Sequence, residues 1–427
     1  MDYEKALEWV HSLPRLAEHP GVENEKKLLQ KLGNPEKGLK FVHIAGTNGK
    51  GSTTMMTANI LISAGYRVGA TISPYVLDFR ERFQINGEMI EKDTLAEILT
   101  EVREAVEALR DEGWNSVVEF DVVTAAALLW FAREQCDIVC METGLGGRLD
   151  ATNAIENTLA ACITAIGKDH TELLGDSFEK IVREKCGIIK KGCTVICYPK
   201  QEPDVMEVIQ EEARKNGASL RIPQTEDFYF YRGQPFENRV NYGGYDLQVA
   251  MPGMHQAYNA GVAIETAFAL CDAGFDISDE AIIEGIEQTK FPARIEVFCK
   301  KPPLILDGMH NEQGAAALAE VLRHENVRHL TLVIGVLRGK NEEKMLELLA
   351  PYVDRCYTVT PDSPRAIPAK ELAQTAKRYF RETAFFENAP QALSHAMQFA
   401  ENGLLICGSL YLAAEVRALL DKNNHRG

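Results

Sequence analysis

The chain has 427 residues, 45% of them hydrophobic and 25% charged, which suits a soluble globular protein of about two to three domains. Its 62 acidic against 46 basic side chains leave a formal charge of −16, a balance that repels nucleic acid and disfavours anionic membranes. No apolar run reaches the roughly 18 residues of a membrane span, and the opening MDYEKALEWVHSLPRLAEH is too charged for a signal peptide, so a cytoplasmic protein with no membrane partner is expected.

In chain order, residues 1–39 hold an amphipathic segment, a loop around His19-Pro20-Gly21 and a helical run at 24–32. Residues 40–63, KFVHIAGTNGKGSTTMMTANILIS, organise the rest of the chain. Positions 41–45 are a short apolar run that predicts a buried strand, and Met55, Met56, Ile60 and Leu61 recur at helical spacing. Between them stand Gly46, Thr47, Asn48, Gly49, Lys50, Gly51 and Ser52. Glycines admit a close ligand, and the new helix aims its unpaired N–H groups and positive dipole end at it, so the turn suits phosphate. Lys50 offers a charge for β- and γ-phosphates, and Ser52 or Thr53 a hydroxyl for magnesium. The order departs from the usual P-loop, since Gly51 separates Lys50 from Ser52. A glycine-rich turn with a solvated lysine is the alternative.

A second strand is predicted at 67–72, ending in Ser73-Pro74-Tyr75. Residues 76–90 predict a hairpin-like loop whose Arg80 and Arg82 suit an anionic substrate, or else a solvated charged loop. Helices are expected at 93–110 and 121–133, then a buried strand at 137–141 that delivers Glu142 at its carboxyl end. Ligands of open parallel sheets sit beyond such ends, which makes Glu142 a magnesium-ligand candidate, with turn contacts as the alternative. A strand at 159–166 ends in Gly167-Lys168-Asp169-His170 in the same way. In the helical run 179–191, Lys185 lies among apolar neighbours, where snorkelling is the default. The ten cysteines form no Cys-x-x-Cys pair and read as buried thiols in a reducing compartment, with zinc or a disulfide as the alternative.

Strand 193–198, helix 202–216, short alternating strands over 227–250 and a helical run from 253 to 273 complete a first domain, 1–294. From 295 to 427 strand-like runs at 295–298, 304–306, 329–336, 355–360 and 404–407 alternate with helical ones, a smaller Rossmann-like α/β domain. Its second strand ends in Asp307-Gly308-Met309-His310-Asn311. The expected class is thus α/β: a P-loop ATPase domain on a mostly parallel sheet, plus this smaller domain. Magnesium-ATP chemistry is the consequence, and three classes share it: a phosphotransferase, a regulatory nucleotide switch and an ATP-dependent ligase.

Ordered segments along nearly the whole chain resemble the folylpolyglutamate synthase / dihydrofolate synthase family of the Mur ligase superfamily. They are HSLPRLAEHPGVEN (11–24), GTNGKGST (46–53), SPY (73–75), ERFQING (81–87), ETGLGGRLDATN (142–153), GKDHTELLG (167–175), REKCGIIK (183–190), HQAYNA (255–260), DGMHN (307–311) and GSLYL around Ser409. The family's turn also carries Gly between Lys and Ser. The resemblance implies that ATP phosphorylates a carboxylate of a folate or of dihydropteroate, and that the amine of L-glutamate attacks the acyl phosphate. A monomer is expected, since no coiled coil or exposed apolar stretch demands partners. It implies nucleotide contacts at Thr47, Asn48, Gly49, Lys50, Gly51, Ser52, Asn259, Arg294 and Asp307. Two magnesium ions would be held by Ser52, Ser73, Glu142, His170 and Lys185, the last after carbamylation. Lys50, Glu142, His170 and Lys185 would be catalytic, Arg82 and the loop at 21–24 would face the pterin substrate, and His310 and Ser409 would position glutamate. Tyr75, Cys186 and Met309 depart from the family's usual His, Ala and Ala.

Overall fold

The computed structural model describes residues 1–15, 21–167, 177–231 and 233–424. Their contacts divide them into two units: Met1–Phe228 with Tyr242–Leu247 and Tyr258–Thr289, and Tyr229–Asn241 with Gln248–Ala257 and Lys290–Gly427.

The first unit is built on β1 (Phe41–Ala45), β2 (Val68–Thr71), β3 (Gln84–Ile85), β4 (Glu88–Met89), β5 (Ile138–Glu142), β6 (Thr158–Ile163), β7 (Thr194–Cys197) and β8 (Ser219–Arg221). They form one sheet in the order β4-β3-β2-β5-β1-β6-β7-β8. Every residue of β1 and β5 is buried, the mark of central parallel strands covered on both faces. β1 runs parallel to both β5 and β6, which brings Ile44 beside Glu142 and Ala45 beside Ile163. Only β3 runs against the rest, antiparallel to both β2 and β4, and it joins β4 at Asn86-Gly87, both with positive φ as a two-residue hairpin requires.

Two apolar cores flank this frame. One gathers Phe83, Val102, Leu128 and Phe131 with the helices Tyr3–Ser12, Glu23–Lys31, Lys92–Asp111 and Glu119–Arg133. The other joins β6 and β7 to the helices Phe178–Cys186 and Pro203–Lys215 through Ile181, Val195 and Ile209. The helix expected over 179–191 stops at Cys186. A Cβ on the following Gly187 would lie 2.4 Å from Arg148 Cα, so the chain turns where only glycine fits, and Ile188 and Ile189 drop into the core.

Phe228–Tyr231 (β9), Asn238–Tyr242 (β10) and Tyr245–Val249 (β11) form a three-stranded sheet in the order β11-β10-β9. The second unit holds β12 (Glu296–Lys300), β13 (Pro303–Leu306), β14 (Leu330–Ile334), β15 (Val353–Thr358), β16 (Glu382–Phe385) and β17 (Leu404–Cys407), ordered β12-β13-β17-β14-β15-β16. Only β12 is antiparallel to its neighbour. Leu318, Leu332, Leu346, Leu372 and Leu405 centre its core. β16 has no counterpart among the expected strands, because an edge strand whose residues are half or fully exposed leaves no apolar run. No described helix is long and apolar enough to cross a membrane, and the ten cysteines are all free thiols, eight of them buried.

Candidate functional site

In the first unit the turn after β1 is held from the next strand. Thr47 and Asn48 N–H both donate to Ala165 O, at 2.9 and 3.1 Å, and Thr47 Oγ1 donates to Gly167 O at 3.1 Å. Gly49 caps the helix Lys50–Ser63 with φ +88°, and a Cβ there would lie 2.6 Å from Asn259 Oδ1. Glycine is therefore required twice over, by conformation and by space. The helix starts at Lys50 with no side chain capping it, leaving its first N–H groups and dipole end for a ligand.

Other chain segments meet this turn. Glu142, the last residue of β5 and 5% exposed, lies with Oε1 3.9 Å from Lys50 Nζ and accepts Ser73 N–H on Oε2 at 3.1 Å. Lys185, also 5% exposed, donates from Nζ to Gly46 O at 2.6 Å. Its amine is thus drawn into the site, and the snorkelling default gives way to a buried hydrogen bond to the turn. Ser52 is buried in the first turn of the helix. The expected contact at His170 lies outside the described residues, as do Lys168 and Asp169.

Ser73, Arg82, Phe120, Thr124, Glu142 and Thr152 line a small cleft beside this cluster. Arg80 is occupied otherwise, its guanidinium held by Asp78 at 2.8 Å. The Arg82 guanidinium stands 5.3 Å from the ring centres of both Tyr75 and Phe79, within cation–π range.

Behind the cleft lie groups that sequence reasoning did not single out. Asp150 accepts Leu145 N–H on Oδ2 at 2.7 Å and the Thr152 hydroxyl on Oδ1 at 2.6 Å. Burial raises its pKa against those bonds. Burial, with the Lys190 charge, takes His43 down to about 3, so the ring is neutral. Only the ETGLGGRLDATN segment marked Asp150 and Thr152. Phe120 is one apolar residue in an apolar helix, with no signal of its own.

The second unit gathers the other candidates. β13 and β17 are parallel neighbours, so Asp307 and Ser409 emerge at adjacent strand ends. Asp307 accepts Ile295 and Met309 N–H at 2.7 and 2.9 Å, and burial raises its pKa. A Cβ on Gly308 would lie 3.0 Å from Arg294 Nη1, and the Arg294 guanidinium stacks 4.9 Å over Phe291. His310 Nδ1 lies 3.2 Å from Gly308 O, and Ser409 Oγ accepts Leu412 N–H at 3.2 Å. His255 is half-buried, and loss of water around its ring, with the Arg294 charge, lowers it to about 4.

Among the described residues no group of three His, Cys, Asp or Glu side chains makes a metal site alone. The donors at the turn are hard oxygens of another kind: the Glu142 carboxylate, the Ser52 and Ser73 hydroxyls, and the Thr53 and Thr143 hydroxyls, buried without a hydrogen-bond partner among the described residues. Such a set suits magnesium, which takes one or two carboxylates and completes its shell with water and phosphate.

The chain matches known proteins in both units. The Mur ligase middle domain matches residues 44–267, and the Mur ligase glutamate ligase domain matches residues 293–410. The dihydrofolate synthase/folylpolyglutamate synthase of Bacillus subtilis (strain 168) is 34% identical, over 98% of this chain and 99% of its own length. Among solved structures, the folylpolyglutamate synthase of Thermotoga maritima superposes with a TM-score of 0.84 at 35% identity, covering 99% of this chain and 97% of its own. That of Mycobacterium tuberculosis, complexed with ADP and AMPPCP, gives 0.88 at 30%, covering 98% and 99%. A glycine turn that opens a helix, strand-end oxygens beside it and likeness along nearly the full length agree: the chain belongs to the Mur ligase family, among its folylpolyglutamate and dihydrofolate synthases.

Proposed function

We propose that the chain is an ATP-dependent ligase that joins L-glutamate to the γ-carboxylate of a folate, with dihydropteroate as a second acceptor. The observation that carries this reading is the convergence of Lys50, Glu142 and Lys185 on the Gly46–Ser52 turn. A carboxylate is a poor electrophile, and phosphorylation gives it a leaving group. In this reading the N–H groups of residues 47–52 and the Lys50 ammonium hold the β- and γ-phosphates while the acceptor carboxylate attacks the γ-phosphorus, the β,γ P–O bond breaks and ADP leaves, giving the acyl phosphate. Arg82, in the adjoining cleft, holds the acceptor's negative end. The glutamate amine then attacks the acyl phosphate, an amide forms and phosphate leaves.

Ser52, Ser73, Glu142 and, once carbamylated, Lys185 would hold two magnesium ions, with His170 a further ligand. The ions supply charge neutralisation between two anions that must approach each other. Carbamylation suits Lys185 because it converts a buried ammonium into an oxygen ligand. Asn259, Arg294 and Asp307 complete the nucleotide contacts. Residues 1–294 form the nucleotide-binding domain and 295–427 the glutamate domain, where His310 and Ser409 position the amino acid. The match of a glutamate ligase domain to 293–410 supports that division, and the double activity named for the Bacillus subtilis relative supports the second acceptor.

Tetrahydrofolate, L-glutamate and magnesium-ATP should yield phosphate and a product heavier by one glutamate, and dihydropteroate in place of the folate tests the second acceptor. Phosphate release indifferent to acceptor and glutamate would overturn the reading. Lys50→Ala should lower kcat by about 10²- to 10³-fold, the scale set by loss of one preorganised charge partner.

A further inference from the structure

His43 stands in β1, three residues before the turn opens, with its ring wholly buried. Its Nε2 lies 2.9 Å from Thr152 Oγ1, and that hydroxyl donates to Asp150 Oδ1 at 2.6 Å. A hydroxyl has one proton to give. Having given it to Asp150, Thr152 accepts from the ring, so His43 carries its proton on Nε2 and leaves Nδ1 bare. Nδ1 is the ring atom without a hydrogen-bond partner among the described residues. The chain of bonds therefore has one direction, from His43 through Thr152 to Asp150.

Asp150 passes this on to a loop. Besides the Thr152 hydroxyl it takes Thr152 N–H at 3.1 Å and Leu145 N–H at 2.7 Å, so one carboxylate closes both ends of the segment 145–152. That segment leaves β5 just after Glu142, and it leans on the helix of Lys185: Arg148 N–H donates to Glu184 O at 2.7 Å, and the Arg148 side chain to Glu184 Oε1 at 2.8 Å. Glu142 and Lys185 are the two groups that flank the phosphate turn, and the loop touches the supports of both.

We propose that His43 is a positioning residue for ligation: through Thr152 and Asp150 it fixes the 143–152 loop, and through that loop the places of Glu142 and Lys185 against the turn. This rests on the reading of the turn as the ATP site. A histidine that merely fills the core would contribute packing alone.

The test is a double-mutant cycle on the full-length enzyme with His43→Leu, Thr152→Val and the pair, with His43→Gln and Thr152→Ser as rescues. The glutamine amide keeps an N–H donor on a side chain of similar reach, and serine keeps the hydroxyl. Turnover, the KM for ATP and thermal unfolding are measured for each. Each single replacement should lower kcat about tenfold, as loss of an outer-shell partner does, with the KM for ATP within about twofold of wild type because the turn keeps its own backbone contacts. The pair should be no worse than the worse single, and the rescues should recover most of the loss. Effects that multiply, as independent sites do, or a kcat loss that neither rescue relieves, would overturn the relay. Should His43→Leu fail to fold, the near-isosteric Thr152→Val against Thr152→Ser decides alone. Wild type without folate-dependent turnover would instead sink the ligase reading, and a ligase with an additive cycle would lose only the relay.

Discussion

Glu25 is fully buried in the helix Glu23–Lys31, and neither carboxylate oxygen has a hydrogen-bond partner among the described residues. Burial first, then the charges of Asp121, Glu36 and Asp150, push its pKa well above the usual 4.5. Burial takes the neighbouring Asp121 up to about 6, although Val118 N–H and Asn24 hold it down. The native state thus keeps a proton on Glu25 that the unfolded chain has released, so stability falls as pH rises above 4.5 and through the folded value. The slope is about 1.4 kcal/mol for each pH unit over that window. Glu25→Gln should therefore be more stable than wild type in urea at pH 8 and nearly equal to it at pH 4.5. A variant destabilised equally at both would show that the acid is not held neutral. Neither Glu25 nor His43 was legible in the sequence. Their partners are distant, Thr152 being 109 residues from His43, and a polar residue inside an apolar strand or a charged helix gives no periodic sign. Lys50 and Glu142 were legible, because each ends or begins an element whose type the hydrophobic pattern declares.

The segment after β2 shows what an element adds to its residues. The Glu81 carboxylate gathers Val76, Leu77 and Asp78 N–H at 2.7 to 2.9 Å, which folds 75–78 back on the short helix Phe79–Arg82. That fold separates two arginines that the sequence could not tell apart: Arg80 serves Asp78, and Arg82 faces Tyr75, Phe79 and the cleft. If the two rings keep the Arg82 guanidinium in place for an acidic acceptor, Tyr75→Ala, which removes one of them, should raise the acceptor KM about two- to fivefold, the range of a single cation–π contact of about 0.5–1 kcal/mol. Tyr75→Phe should keep the wild-type value, and the KM for ATP should not move in either. Equal KM values in all three enzymes would remove Tyr75 from the acceptor site. Here the hairpin and its Asn86-Gly87 turn were legible from local chemistry, whereas the division of labour between the arginines depends on Glu81 and Asp78 acting across the turn.

At the scale of the molecule the alternation of strand and helix declared an α/β chain, but not the strand orders, since crossovers join strands that lie far apart along the chain. β1 meets β5 nearly a hundred residues away, and β13 meets β17 at the same distance. Nor did the pattern show that 229–241 and 248–257 share their contacts with the second unit. Among the described residues the cores around Leu128 and Leu332 are each drawn from a single unit, the first and the second respectively, and both leucines are wholly buried. Truncating either to alanine removes apolar contacts and leaves a cavity, at about 2–5 kcal/mol. If these two cores melt as separate cooperative transitions, the calorimetric enthalpy of unfolding exceeds the van't Hoff value. Leu332→Ala should then lower one component of the calorimetric profile by several degrees, roughly 2–4 °C for each kcal/mol in units of this size. Leu128→Ala should lower the other, and each should leave its counterpart in place. A single transition that moves as a whole under either substitution would show instead that the two units melt as one.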